Sequence, residues 1–270
     1  MISEELLDKY ENLKSYLVQL GSVAIAFSGG VDSTLILKVA KNVLGENVIA
    51  VTAYLGSSPK WEMQEADHYC RQIEIRQFVT EIEQMKIEGF AENPANRCYL
   101  CKKVIFEKLL SLTRDNKMGH LVEGTNLDDE GDYRPGMKAI EELGVKSPLR
   151  ELGFTKKDIR ELSQYLELPT WNKPSMACLA TRFPYGETIT QEKFVMVDQA
   201  EQLLRNLGFN QVRVRMHGMI ARIEVESSDF KKMLDENIRT TICTRLKELG
   251  FQYVSLDLQG YRTGSMNEYL

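Results

Sequence analysis

No apolar run in this 270-residue chain approaches the ~20 residues a membrane helix needs, so a membrane-spanning role is not expected. A basic excess is missing too. Lys and Arg number 34 against 39 Asp and Glu, for a net charge of −5. Binding to a polyanion is driven largely by cations that neutralise phosphates, so nucleic acid is not an expected partner, although a local basic groove remains compatible with the total. A paired cysteine framework is also lacking, because the five cysteines form an odd set. The acidic, helix-patterned start "MISEELLDKYENLKSYL" does not read as a signal or transit peptide. Together these features predict a cytoplasmic protein whose thiols are not tied up in structural disulfides. Repeats and low-complexity tracts are absent from the sequence.

What is present is an alternation of short and long apolar segments. Strands are expected at 22–27, 48–54, 76–82 and 119–124, with helices at 33–44, 60–74 and 101–113. Strands alternating with helices indicate a parallel sheet covered on both faces. The stretch "TKKDIRELSQYLEL" opens with Thr155 and carries Asp158 three residues on, which resembles a capping box. Beyond about 185 the order changes to helix (191–207), two strands ("QVRVRM" and "IARIEVE"), a long helix (229–249) and a last strand (253–258). That order suits a small antiparallel sheet with helices on one face. The expected fold class is therefore α/β, with a parallel-sheet domain at 1–185 and a smaller α+β domain at 186–270.

The stretch "AIAFSGGVDSTLILK" (24–38) is a strand, a glycine turn and a helix. That arrangement aims free backbone N–H groups at an anion, with Ser28, Ser33 and Thr34 adding hydroxyls. Neither G-x-G-x-x-G nor the Walker pattern G-x-x-x-x-G-K-[ST] is present. Ser28-Gly29-Gly30-Val31-Asp32-Ser33 instead resembles the PP-loop of N-type ATP pyrophosphatases. The resemblance implies that the turn cradles the β- and γ-phosphates while a substrate attacks the α-phosphorus. It also puts Tyr54, Gly124, Thr125, Asn126 and Asp129 around the nucleotide, at the strand ends where open α/β sheets bind ligands. An Asn/Asp-rich turn with no ligand is the plainer alternative for the last four. Carboxylates beside a triphosphate suit Mg²⁺, for which Asp32 is the candidate.

Cys70 and Cys243 fall among apolar helical neighbours and read as packed thiols. Cys98, Cys101 and Cys178 sit among turn residues. They leave three readings open: a zinc site, which usually takes four ligands and finds no histidine at finger spacing; unligated thiols or a redox pair; or a [4Fe–4S] cluster on three thiolates with one iron open.

The segments "LPTWNKPSMACLATRFPYGE" and "GTNLDDEGDYRPG", together with the glycine turn, resemble the LarE family of sulfurtransferases over essentially the whole chain. The resemblance implies adenylation of pyridinium-3,5-biscarboxylic acid mononucleotide and its conversion to a thiocarboxylate, in the synthesis of a nickel-pincer nucleotide cofactor. In one group of that family a single cysteine, matching Cys178, gives up its own sulfur. In the other, positions matching Cys98 and Cys101 join it to hold a cluster. With all three present, this sequence looks like the cluster type, which would use ATP, Mg²⁺ and an external sulfide donor. The same resemblance places Arg213 and Arg215 at the substrate phosphate and Glu224 near a metal, and it implies a homo-oligomer. Arg213 and Arg215 alternate on one strand and so share a face; Arg182 lies four residues beyond Cys178. Guanidinium forks suit phosphate and carboxylate, against the plainer alternative of ordinary ion pairing. A tRNA thiolase of the same superfamily and a non-catalytic nucleotide sensor are the competing functions.

Overall fold

The computed structural model describes residues 2–55, 60–131, 135–174, 178–262 and 264–267; parts of two of the motifs above, 132–134 and 175–177, lie outside them. The chain divides into two units, Met1–Gln84 with Cys98–Met176, and Met85–Arg97 with Ala177–Leu270. Among the described residues, no helix is long and apolar enough to cross a membrane.

In the first unit the order is α1 (Glu4–Leu20), β1 (Val23–Ala26), α2 (Val31–Leu44), β2 (Val48–Leu55), α3 (Lys60–Gln72), β3 (Gln77–Ile82), α4 (Arg97–Asp115), β4 (His120–Val122), α5 (Pro135–Glu142), α6 (Pro148–Glu151) and α7 (Lys156–Tyr165). The four strands pair in parallel in the order β3-β2-β1-β4. Helical crossovers between successive strands enforce this, since a parallel neighbour cannot be reached by a tight hairpin. Strand side chains alternate between two cores. Val23, Ile25, Val48, Ala50 and Val122 pack with α1, α2, α6 and α7, while Ala24, Ile49, Val51 and Leu121 pack with α4 and α5. Burial on both faces explains why these strands read as continuous apolar runs. The expected box at α7 is formed: Thr155 Oγ1 accepts Asp158 N at 3.1 Å, and the Asp158 carboxylate accepts Thr155 N at 3.0 Å.

The second unit contains α8 (Gln191–Asn206), β5 (Val212–His217), β6 (Ile220–Val225), α9 (Phe230–Met233), α10 (Glu236–Glu248) and β7 (Tyr253–Leu256). It begins at 177, ahead of the change in pattern near 185, and it claims the segment 85–97 from within the first unit's sequence. Packing explains that excursion: Phe90 meets Phe194 with ring centroids 6.5 Å apart, and Asn93 Nδ2 donates to the Pro184 carbonyl at 2.6 Å. The sheet order is β5-β6-β7, with β5 and β6 antiparallel and β6 and β7 parallel. This corrects the all-antiparallel expectation. A helical crossover, α9 and α10, separates β6 from β7 and returns the chain in the same direction. The long helix expected at 229–249 is broken at Asp235, which caps α10 by accepting Asn237 N and Ile238 N.

Candidate active site

Past the C-terminal end of β1 the chain turns at Gly29, whose φ of +73° is costly for any residue with a Cβ. Gly30 then N-caps α2 with no side chain bonding into the cap. The first backbone N–H groups of α2 therefore keep their donor capacity at the positive end of the helix dipole. Ser33 Oγ lies 3.2 Å from Ser28 Oγ and donates to the Gly30 carbonyl at 3.2 Å, which holds the turn in shape. A short glycine turn with an uncapped helix behind it can take an anionic phosphate.

The end of β4 approaches the same turn closely. A Cβ at Gly124 would stand 3.0 Å from Asp32 Cβ and 3.2 Å from Ser33 N, so glycine is what permits the contact. The following residues are fixed by their own hydrogen bonds. Buried Glu123 accepts Thr125 N at 2.9 Å, Thr125 Oγ1 at 2.7 Å and the Ser147 hydroxyl. Asp129 accepts Asn126 N at 3.0 Å, and Asn126 Nδ2 donates to Asp32 Oδ1 at 3.3 Å. Asn126 thus reaches the glycine turn through Asp32, while Thr125 and Asp129 bond within their own segment and shape the local backbone. The Tyr54 hydroxyl donates to the Met63 carbonyl at 3.2 Å and ties the end of β2 to α3. Burial pushes its pKa up, so it stays a donor.

Sequence reasoning missed Lys156. Its Nζ donates to both oxygens of Asp32, at 2.7 and 2.6 Å. Lys156 is the first residue of α7, next to Lys157, and cations at a helix N-terminus oppose the dipole. Two lysines opening a helix were the available signal that an anion stands nearby.

Cys98 and Cys101 lie in the opening turns of α4, three apart and so on one face. Cys101 is buried and Cys98 partly buried, and Gln84 Nε2 donates to Cys101 Sγ at 3.5 Å. Gln84 was a second residue the sequence did not point to. Cys178, in the other unit, is exposed and precedes a 3-10 turn at Leu179–Arg182. All five cysteines are unbridged. Cys70 belongs to the core, where burial and nearby Asp67 push its thiol up to about 12. Cys243 is only partly buried. Among the described residues no group of three or more His, Cys, Asp or Glu side chains is arranged to hold a metal ion. Cys98 and Cys101 supply two donors, short of a complete cluster site.

The three arginines singled out in sequence are all buried in the second unit, at 2% exposure for Arg182, 4% for Arg213 and 5% for Arg215. Arg182 forms a fork with Glu201 at 2.7 and 3.0 Å. Arg215 Nη2 donates to Glu224 at 2.9 Å, and its Nη1 to the Thr181 carbonyl at 2.8 Å. Arg213 donates to the Val212 carbonyl and lies over the Tyr261 ring, 5.2 Å from its centroid. Burial, followed by the neighbouring Arg182 charge, pulls the Arg213 pKa down, so a nearby anion would be welcomed. Glu224 is fully buried. It accepts Arg215 on one oxygen, and Arg222 and Ser265 on the other. A metal at Glu224 would have to displace these donors.

Known proteins resemble this chain over much of its length. The model of a family described as NAD synthase matches residues 9–182. An uncharacterized protein of Synechocystis sp. is 42% identical over 265 residues, covering 98% of this chain and 99% of its own. The pyridinium-3,5-bisthiocarboxylic acid mononucleotide synthase of Lactiplantibacillus plantarum is 39% identical, covering 98% of this chain and 96% of its own. One of the subunits of a glutamine-hydrolyzing GMP synthase from Saccharolobus islandicus is 30% identical over 163 residues, which is 54% of this chain and 44% of its own. This chain belongs to the NAD synthase family, with its PP-loop fold, and within it to the family of the pyridinium-3,5-bisthiocarboxylic acid mononucleotide synthase.

Proposed function

We propose that this protein is an ATP-dependent sulfurtransferase that converts a carboxylate of pyridinium-3,5-biscarboxylic acid mononucleotide to a thiocarboxylate. The observation that carries the reading is the end-to-end match to the synthase, because the fold alone hosts many chemistries. A carboxylate oxygen is a poor leaving group. Attack of that oxygen on the α-phosphorus of ATP forms an acyl-adenylate and breaks the bond to pyrophosphate. A hydrosulfide then adds to the acyl carbon, the carbon–oxygen bond to AMP breaks, and the thiol proton goes to solvent.

In this reading the uncapped start of α2, with Ser28, Gly29, Gly30, Ser33 and Thr34, holds the β- and γ-phosphates. Asp32 would hold Mg²⁺, a cation that takes oxygen ligands, in place of its contact with Lys156. Lys156, so released, would offset charge on the departing pyrophosphate. The strand-end residues Tyr54, Gly124, Thr125, Asn126 and Asp129 surround the nucleoside. Arg213, flanked by Arg182 and Arg215, receives the substrate's phosphate. Cys98, Cys101 and Cys178 are the proposed sulfur-handling thiolates, and a [4Fe–4S] cluster on them would supply an open iron able to carry sulfide.

Anaerobic reconstitution with iron and sulfide tests the cysteine assignment. Wild type should gain a visible charge-transfer band and thiolate more than one equivalent of substrate. Cys98→Ala should lose both yet still release pyrophosphate on adding substrate. Sustained turnover by Cys98→Ala would contradict the cluster assignment, whereas a single equivalent of thiocarboxylate per chain would favour Cys178 as a sacrificial sulfur donor.

A further inference from the structure

The peptide that enters the glycine turn is held from outside the turn. The register of β1 with β2 stops at Ala26 and Val51, and Phe27 N still donates to the Val51 carbonyl at 2.9 Å. The Phe27 carbonyl is taken up by a side chain, since the Thr52 hydroxyl donates to it at 2.8 Å. That uses the hydroxyl's single hydrogen, and the side-chain amide of Gln77, on β3, donates to the same hydroxyl oxygen at 2.8 Å. Thr52 is 3% exposed, in a stretch of β2 that is otherwise apolar from Val48 to Ala53. Valine has nearly the same shape, suits strands as well and carries no polar group that must find a partner in the interior. The hydroxyl therefore needs a reason beyond filling the core.

Planarity supplies one. A trans peptide carries its C=O and its N–H on opposite sides, and the peptide joining Phe27 to Ser28 is trans. With the Phe27 carbonyl fixed on Thr52, Ser28 N–H is turned the other way and donates to Ser33 Oγ at 3.4 Å. The Ser28 hydroxyl in turn accepts Gly30 N at 3.4 Å. A chain of hydrogen bonds thus runs from Gln77 through Thr52 to this peptide, and from the peptide to the residues that open α2. Members of such a chain polarise and strengthen one another. The two glycines that follow give the turn little stiffness of its own. Half a rotation of the peptide would swing Ser28 N–H out of the turn and aim a carbonyl dipole at any anion held there. We infer that Thr52, oriented by Gln77, is a positioning residue for the turn. On the reading that the turn holds the phosphates of ATP, its hydroxyl keeps Ser28 N–H facing them and so sets nucleotide affinity without touching the nucleotide.

The full chain is compared with Thr52→Val, Thr52→Ser and Gln77→Met in two measurements. Hydrogen exchange at the Ser28 amide, followed by NMR on the ligand-free protein, reads the peptide itself. Calorimetric titration with Mg²⁺ and a non-hydrolysable ATP analogue reads the consequence. Thr52→Val should speed exchange at Ser28 about tenfold while leaving Ile25 and Ala50, in the strands beside it, within about twofold. It should also weaken the analogue about tenfold. Gln77→Met keeps the hydroxyl but removes the group that orients it, and should weaken the analogue about threefold. Thr52→Ser should stay within about twofold of wild type in both measurements. Unchanged exchange at Ser28 or unchanged analogue affinity in Thr52→Val overturns the inference. So does equal acceleration at Ser28, Ile25 and Ala50, the mark of a residue that serves the core alone, and so does a Thr52→Ser protein as weak as Thr52→Val. A wild-type chain that binds no analogue would defeat the ATP reading instead, and exchange at Ser28 would still decide whether Thr52 holds the turn.

Discussion

Two pairs of the same chemical kind behave differently in this protein. Asp32 and Lys156 meet beside the glycine turn with 22% and 30% of their side chains exposed. Arg182 and Glu201 meet in the second unit with 2% and 0% exposed. Water can replace either partner of the first pair, so it can open for a triphosphate and Mg²⁺ at small cost. Opening the second would strand a charge in the interior. The first pair has the character of a switch and the second that of a brace, and the difference lies in their surroundings rather than in the residues.

Breaking the brace should give the largest effect. Glu201 holds Arg182, Arg205 and Val214 N together. Glu201→Gln should therefore destabilise the protein by about 3–5 kcal/mol in urea unfolding, the usual consequence of removing one partner of a buried pair. A loss under about 1 kcal/mol would mean that the pair is not confined as described. Lys156→Ala should cost about 1 kcal/mol or less in stability while slowing ATP-dependent pyrophosphate release about a hundredfold. Equal losses of stability and rate would erase the contrast between the two pairs.

Acid should separate the regions next. Burial works against a charge on Glu201, but Arg182 more than offsets it and holds the carboxyl below the ordinary glutamate value. With the folded value depressed, the unfolded chain binds the proton first. The stabilisation is full above the ordinary glutamate range and is lost as pH falls through the folded value. Fluorescence and circular dichroism followed from about pH 7 to about pH 2 should show the second unit losing structure in that acid window; loss of structure on raising the pH would contradict the sign. The smallest effect concerns thiol labelling. At about pH 8 iodoacetamide should modify exposed Cys178 and spare Cys70, whose thiol lies near 12 and in the core. Mass mapping that found Cys70 labelled in the native protein would mean that the first unit's core is open.

The first unit was the more legible in sequence because its signals are local. A parallel strand buried on both faces is a continuous apolar run, and a glycine turn before a helix is contiguous in the chain. Both were read correctly from residues 22–54. Lys156 was hidden because it meets Asp32 across 124 positions of sequence, and nothing local distinguishes it from a surface lysine except its awkward place at a helix start. The segment 85–97 was opaque for a similar reason. Its membership of the second unit depends on Phe90 finding Phe194 and Asn93 finding Pro184, contacts that no periodicity announces. In the second unit the spacing of Arg213 and Arg215 gave their common face. It could not give their burial, which comes from Glu201 and Glu224 being brought opposite by α8 and β6. The break at Asp235 was visible as an aspartate able to cap a helix, but the apolar pattern running through it outweighed the signal.

Product stoichiometry tests the central claim most directly. The chain is incubated anaerobically with ATP, Mg²⁺, sulfide and pyridinium-3,5-biscarboxylic acid mononucleotide, and nucleotides and pyridinium species are quantified by mass spectrometry. The account requires one AMP and one pyrophosphate for each oxygen replaced by sulfur, with neither released when the pyridinium compound is left out. Formation of ADP and phosphate, or AMP release without any thiocarboxylate, would contradict it.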